Sequence, residues 1–379
     1  MPLLWQSGGG RHVAVGGGLL LLGVGILAVS AVADGEIGQF AGAFQNVAAC
    51  MLLAVLAQLL PVWPALRPLV WAVFGLLMMI GFALVLAATL MPLDLSATGE
   101  LAPETGWRVG VALGLAGVSL VSALSLLFGG RWARMAAALG GRVDPHDSRH
   151  ALAMVGLVAA STLAFIPMIA LGGQAPALLM VSADPEIFSR DRSSSGQMLD
   201  LVYDLAWTIP LALLLVGVPL RRTVREALER LGVRMLGVRG LLIGVAAAAV
   251  LWVAGTALDL VTYWFWGVVG WPGTDPELVE TLMGVALSPM GAVIAAVAAG
   301  LGEELMMRGV LQPRFGWLLP NLAFTAAHAF QYNLDALIGV FVLGAILAAV
   351  RSRWSTSEAI IAHGLYNLVL FLGGSVDLR

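Results

Sequence analysis

Three short runs near the carboxyl end place polar side chains among apolar ones: EELMMR at 303–308, FTAAH at 324–328 and HGLYN at 363–367. Residues four apart share a helix face, so Glu304 can pair with Arg308, with the acid in the favourable N-terminal position. Glu303 lies about 100° around the helix from Glu304 and is the carboxylate left free of Arg308. Phe324 and His328 share a face by the same spacing, as do His363 and Asn367. A carboxylate, an imidazole, and an imidazole beside an amide can together take a proton from water and hold a developing oxyanion. Taken singly, each has a structural reading: a salt bridge at a helix end, a hydrogen-bonded core histidine, an interhelical contact. Together they weigh more, because the other histidines, His12, His146 and His150, lie at a terminus and in a loop.

These groups sit in a chain that otherwise avoids charge. Its 379 residues are 60% hydrophobic and 11% charged, against about 25% charged in a soluble domain. An ionisable side chain inside a membrane is costly and so points to function. The net charge of −3 gives no footing for nucleic acid, and all 20 basic residues are Arg. The single cysteine, Cys50, excludes an intrachain disulfide and a cysteine-based zinc site. There is no H-E-x-x-H run, the signature of the commonest zinc proteases.

The elements that must position the three runs are membrane helices. Apolar stretches of about 20 residues predict an all-α, polytopic fold. The expected spans lie near 13–33, 37–60, 69–91, 109–128, 151–172, 201–219, 241–267, 284–302, 317–331, 336–350 and 357–373. The loops alternate in charge. Loop 92–107 holds Asp94, Glu100 and Glu104, and loop 268–283 holds Asp275, Glu277 and Glu280. Loop 174–200 is mixed, with Arg190, Asp191 and Arg192 among its charges. Loops 129–150 and 220–240 are rich in Arg. Basic loops face the cytoplasm. This places the amino terminus inside, the carboxyl terminus outside and the Glu303–Arg308 turn on the cytoplasmic side of what is expected to be a bacterial inner membrane. Residues 1–219 are expected to form an accessory region of six spans with no catalytic residue. Residues 220–240 form a basic linker, and 241–379 the motif-bearing region. Within the linker, Val224, Leu228, Leu231 and Met235 are predicted to share one face of an amphipathic helix on the leaflet surface.

In order and spacing the three runs resemble the E-E-x-x-x-R, F-x-x-x-H and H-x-x-x-N motifs of the CPBP family of intramembrane proteases. That family includes the CAAX-processing endoproteases and bacterial relatives linked to bacteriocin processing and immunity. The resemblance covers roughly residues 284–373. It implies a helical membrane core whose polar site is reached from the cytoplasm. It further implies that Glu303 and His328 activate a water, that His363 and Asn367 stabilise the oxyanion, and that Glu304 and Arg308 are the supporting pair. Glu304 stays open as a direct participant. No metal ion is expected; the alternative is zinc held by Glu303, His328 and His363. The implied partners are the lipid bilayer and a membrane-associated protein or peptide, cut near its carboxyl-terminal anchor. Two rival functions remain. One is a non-catalytic immunity or scaffold protein. The other is a transporter using the Glu/His cluster, which would commonly carry internal repeats that this sequence lacks.

Overall fold

The computed structural model describes residues 9–95, 103–188 and 193–373. Glu100, Arg190, Asp191 and Arg192 lie outside the described residues, as do the side chains of Asp94 and Glu104. Among the described residues every regular element is helical.

The first half comprises α1 (Gly9–Val32), α2 (Gly35–Ala43), α3 (Gln45–Leu59), α4 (Arg67–Leu95), α5 (Pro103–Ser125) and the short α6 (Arg131–Ala138). Then come α7 (Ser148–Ala170), α8 (Pro176–Ala183), α9 (Ser194–Val216) and α10 (Val224–Leu231). The remainder is α11 (Val238–Val269), α12 (Pro276–Met283), α13 (Pro289–Ala298), α14 (Gln312–Phe315), α15 (Leu318–Ala327), α16 (Leu334–Arg353) and α17 (Thr356–Gly373).

Among the described residues eight helices are long and apolar enough to cross a membrane, or nine if α2 and α3, bent by 47° to each other, make one span. The sequence had suggested eleven. The stretch 317–331 yields only the ten residues of α15, about 15 Å of helix against a hydrocarbon core of about 30 Å. The other missing span is α17, whose apolar character is diluted by Glu358, His363 and Asn367. Both departures fall on helices that carry candidate site residues.

Lipid-like exposure and protein packing divide single helices. On α11, Val245, Val250, Val253 and Val261 are exposed, while Gly244, Ala247, Ala248, Leu251 and Gly255 are buried. The small residues admit α17 closely: a Cβ on Gly244 would stand 2.6 Å from Ile361 Cγ2. This is how membrane helices associate when no hydrophobic driving force separates protein from lipid. In the first half, α7 packs against α4 and α5 and also against α15. There Trp132, Ala136, Ala151 and Met154 form one buried cluster with Phe315 and Leu319. The α9 helix packs against α13.

The basic linker is not one amphipathic helix. Gly232 takes a left-handed φ of 71° and ends α10 after eight residues. Leu231 and Ala227 are buried against Ala212, Val216 and Leu305. Val224 and Leu228 stay exposed, and Met235, beyond the turn, is fully exposed. The four apolar residues therefore serve two surfaces rather than one.

Candidate active site

The α13 helix continues past Ala298, but its winding loosens. Residues Ala299–Glu303 and Leu305–Leu311 are π-helical, where a regular α-helix was expected. Such i→i+5 winding is rare and concentrates at functional sites. It displaces carbonyls from the regular ladder, and arginines from elsewhere meet them. Arg351 Nε donates to Arg308 O at 3.3 Å. Arg230 donates to Gly309 O at 3.1 Å and Val310 O at 3.4 Å.

The glycines of this segment set how close the next helix can come. A Cβ on Gly300 would stand 2.8 Å from the Gly364 amide nitrogen and 3.0 Å from Ile360 O. Without it, α17 lies directly on the π-helical turn, and His363 reaches both carboxylates. His363 Nδ1 is 3.0 Å from Glu304 Oε1. Its Nε2 is 3.9 Å from Glu303 Oε2, an electrostatic contact rather than a hydrogen bond.

The two acids have different surroundings. Glu304 is fully buried and faces Arg308 Nε at 3.4 Å, the i,i+4 pair expected from spacing. Arg308, itself 1% exposed, donates through Nη2 to Gly344 O at 2.8 Å and lies 4.7 Å over the Phe324 ring, within cation–π range. One buried negative and one buried positive charge thus balance, as buried ions require. The Glu303 side chain is 35% exposed and has no salt-bridge contact with Arg308.

Phe324 is the hub of the aromatic side of the site. Its ring makes edge contacts with His328 at 4.8 Å and His363 at 6.0 Å. His328, half-buried at the end of α15, has Nδ1 at 2.8 Å from Phe324 O. A carbonyl only accepts, so Nδ1 carries the proton and a neutral ring keeps its lone pair on Nε2. On its other side His328 stacks on Tyr332, with centroids 5.9 Å apart and planes 7° from parallel. That stacking puts Tyr332 at the site. Sequence reasoning passed over it because it follows α15 in a turn, outside any motif. Gly344, whose carbonyl holds Arg308, and Arg351, both on α16, and Arg230 on α10 likewise lie outside the three motifs.

The structure therefore brings Glu303, Glu304, Arg308 and His363 into direct contact and joins His328 to them through Phe324. Asn367 lies one turn beyond His363 on α17, half-buried; it does not share in these contacts. Among the described residues no three His, Cys, Asp or Glu side chains converge as metal ligands.

The start of α17 is fixed from the linker. Thr356 Oγ1 donates to Leu231 O at 2.5 Å, and Thr356 N to Gly232 O at 3.1 Å. Ser357 Oγ exchanges bonds with the backbone of Arg234, at 2.8 and 2.9 Å. Buried Glu358 pairs with the Arg234 guanidinium. The basic linker is thus the clamp that sets the height of His363.

A family model described as type II CAAX prenyl endopeptidase, Rce1-like, matches residues 285–369. That interval begins just before α13 and takes in all three motifs. No curated protein and no solved structure matches the chain.

Proposed function

We propose that this chain, whose residues 285–369 match the family model of a type II CAAX prenyl endopeptidase, hydrolyses a peptide bond of a membrane-associated protein or peptide with a water activated by Glu303 and His328. The observation that carries this reading is the division between the two acids. Glu304 is committed to Arg308 and His363, while Glu303 stays partly exposed at the same imidazole.

In this reading Glu303 takes a proton from water as the oxygen attacks the scissile carbonyl. His328 orients that water through Nε2, its Nδ1 proton being held by Phe324 O. The tetrahedral oxyanion receives hydrogen bonds from His363 and the Asn367 amide, with Arg308 supplying positive field nearby. Here His363 acts as the imidazolium, one N–H towards Glu304 and the other towards the substrate. Glu303 then returns its proton to the leaving amine. The route uses no metal ion, and water and substrate reach the site from the cytoplasmic face.

The test is cleavage in the cell. Membrane proteomes are compared between a deletion strain and strains complemented with wild type, Glu303→Gln or His328→Ala. Uncut termini that accumulate in the deletion and are cleared only by wild type support the reading and name the substrate. Clearance by both variants at normal expression would make the cluster structural and the protein a binding or immunity protein. Activity of the purified chain is expected to survive a zinc chelator; loss restored by zinc would move the mechanism to a metal.

A further inference from the structure

A second charged feature surrounds the far end of the Glu303 helix. Arg230 bonds to the carbonyls of Gly309 and Val310. Arg314, one turn on, donates to Arg142 O at 3.3 Å, and Arg142 N returns a bond to Arg314 O at 2.7 Å. Arg222 bonds to Val216 O and is within electrostatic reach of Arg314 and Arg149 as well as of Glu226. Arg351 approaches Gly232 so closely that a Cβ there would stand 2.6 Å from its guanidinium. Arg222 and Arg230 of the linker, with Arg351 of α16 and Arg314 itself, thus collect around residues 308–314.

Their partners are backbone carbonyls. Among the described residues none of these four forms a salt bridge to a carboxylate, unlike Arg149, Arg225, Arg234 and Arg308. The neighbouring acids are already engaged. Glu226 accepts from Thr223 N and Oγ1 at 2.8 and 3.0 Å as part of a capping box. Asp147 is held by Arg149, and Glu358 by Arg234 and Ser355. Burial, then the fields of Arg314, Arg222 and Arg351, push the Arg230 guanidinium down to about 10. Like charges crowded in this way favour an anion between them.

The setting selects the kind of anion. The same linker exposes Val224 and Leu228 on α10, and Met235 is bare just beyond it. Apolar side chains next to clustered guanidinium groups suit a molecule that is hydrocarbon at one end and phosphate at the other. We propose that Arg222, Arg230 and Arg314 bind the phosphate headgroup of an anionic phospholipid. The lipid would lie against α10 and, through Arg230, brace the carbonyls that end the Glu303 helix. This site is independent of the proteolytic reading, and its test needs no substrate.

The full chain is reconstituted in nanodiscs of phosphatidylcholine with or without phosphatidylglycerol, and retained lipid is counted by native mass spectrometry. Wild type is expected to retain phosphatidylglycerol selectively. The double variant Arg222→Gln/Arg314→Gln should bind it about thirtyfold more weakly, as two lost charges near a membrane surface imply. Arg222→Lys/Arg314→Lys and the control Arg225→Gln should retain it. Arg314→Gln alone gives a partial loss if the double variant does not fold. Undiminished retention by the Gln variants would overturn the site. Stabilisation of wild type by inorganic phosphate in the phosphatidylcholine discs, with no lipid preference, would overturn the lipid assignment.

Discussion

Glu304 has no exposure to solvent and its charge is balanced by Arg308 and His363, so taking away one partner strands a charge. Arg308→Met is expected to destabilise the protein by about 3–5 kcal/mol, the usual penalty for breaking a buried ion pair from one side. Its measure is thermal unfolding in detergent. Glu303→Gln should behave otherwise. Its side chain is partly exposed and its contact with His363 is 3.9 Å, so the unfolding midpoint should hardly move while hydrolysis falls by about 10²–10⁴, the range for a lost general base. Equal destabilisation by both changes would count against the division of labour between the acids. That the second acid pairs with the arginine was legible from a spacing of four, because helical periodicity is local information. Tyr332 was not, because its stacking on His328 depends on how the chain turns after α15, which no spacing encodes.

Between elements, the decisive contact is backbone on backbone. The Gly300–Gly364 approach lets one helix deliver carboxylates and the other an imidazole to the same point. Gly300→Ala would set a methyl against the α17 backbone and is expected to cost about 1–3 kcal/mol as overpacking, with a larger proportional loss of activity. Gly339→Ala on α16, where a Cβ meets nothing within 4 Å, is the control and should be neutral or mildly stabilising. A paired measurement of unfolding and cleavage decides it; indifference to Gly300→Ala would sever the link between this packing and catalysis. A pH effect belongs to α7. Burial tends to raise the Asp147 carboxyl, but the bonds and charge of Arg149 and its amide together hold it below the usual carboxylate range. A depressed carboxyl stabilises above its unfolded pKa of about 3.9 and loses that contribution as pH falls through the lowered folded value. Asp147→Asn should therefore flatten the loss of unfolding temperature below about pH 4, and an unchanged profile would show that Asp147 is not a source of it. Apolar run length disclosed most of the spans. The π-helical winding stayed hidden, since it is set by the approach of α17 and by arginines distant in sequence, Arg230 and Arg351.

At the scale of the whole molecule, the motif-bearing third leans on the rest. Phe315 and Leu319, which flank the turn into α15, are buried with Trp132, Ala151 and Met154. Residues 220–379 expressed alone should thus insert but remain protease-sensitive around α15, whereas the full chain resists; equal resistance would show that the first half is dispensable for folding. Composition announced the membrane, but not that α7 and α9 of the first half would wall the site, because hydropathy identifies spans without saying which of them touch. The brevity of α15 has a further consequence. Its ten residues place His328 about 15 Å from the helix start. A peptide running alongside needs about five residues to cover that distance when extended, against about ten when helical. In the proposed reaction, a substrate lying along α15 would therefore be measured by that helix. Substrates whose terminal segment unwinds easily for some five residues should be cut at a constant distance from the level where α15 begins. Lengthening α15 by one turn should shift the cut site deeper by a residue or two.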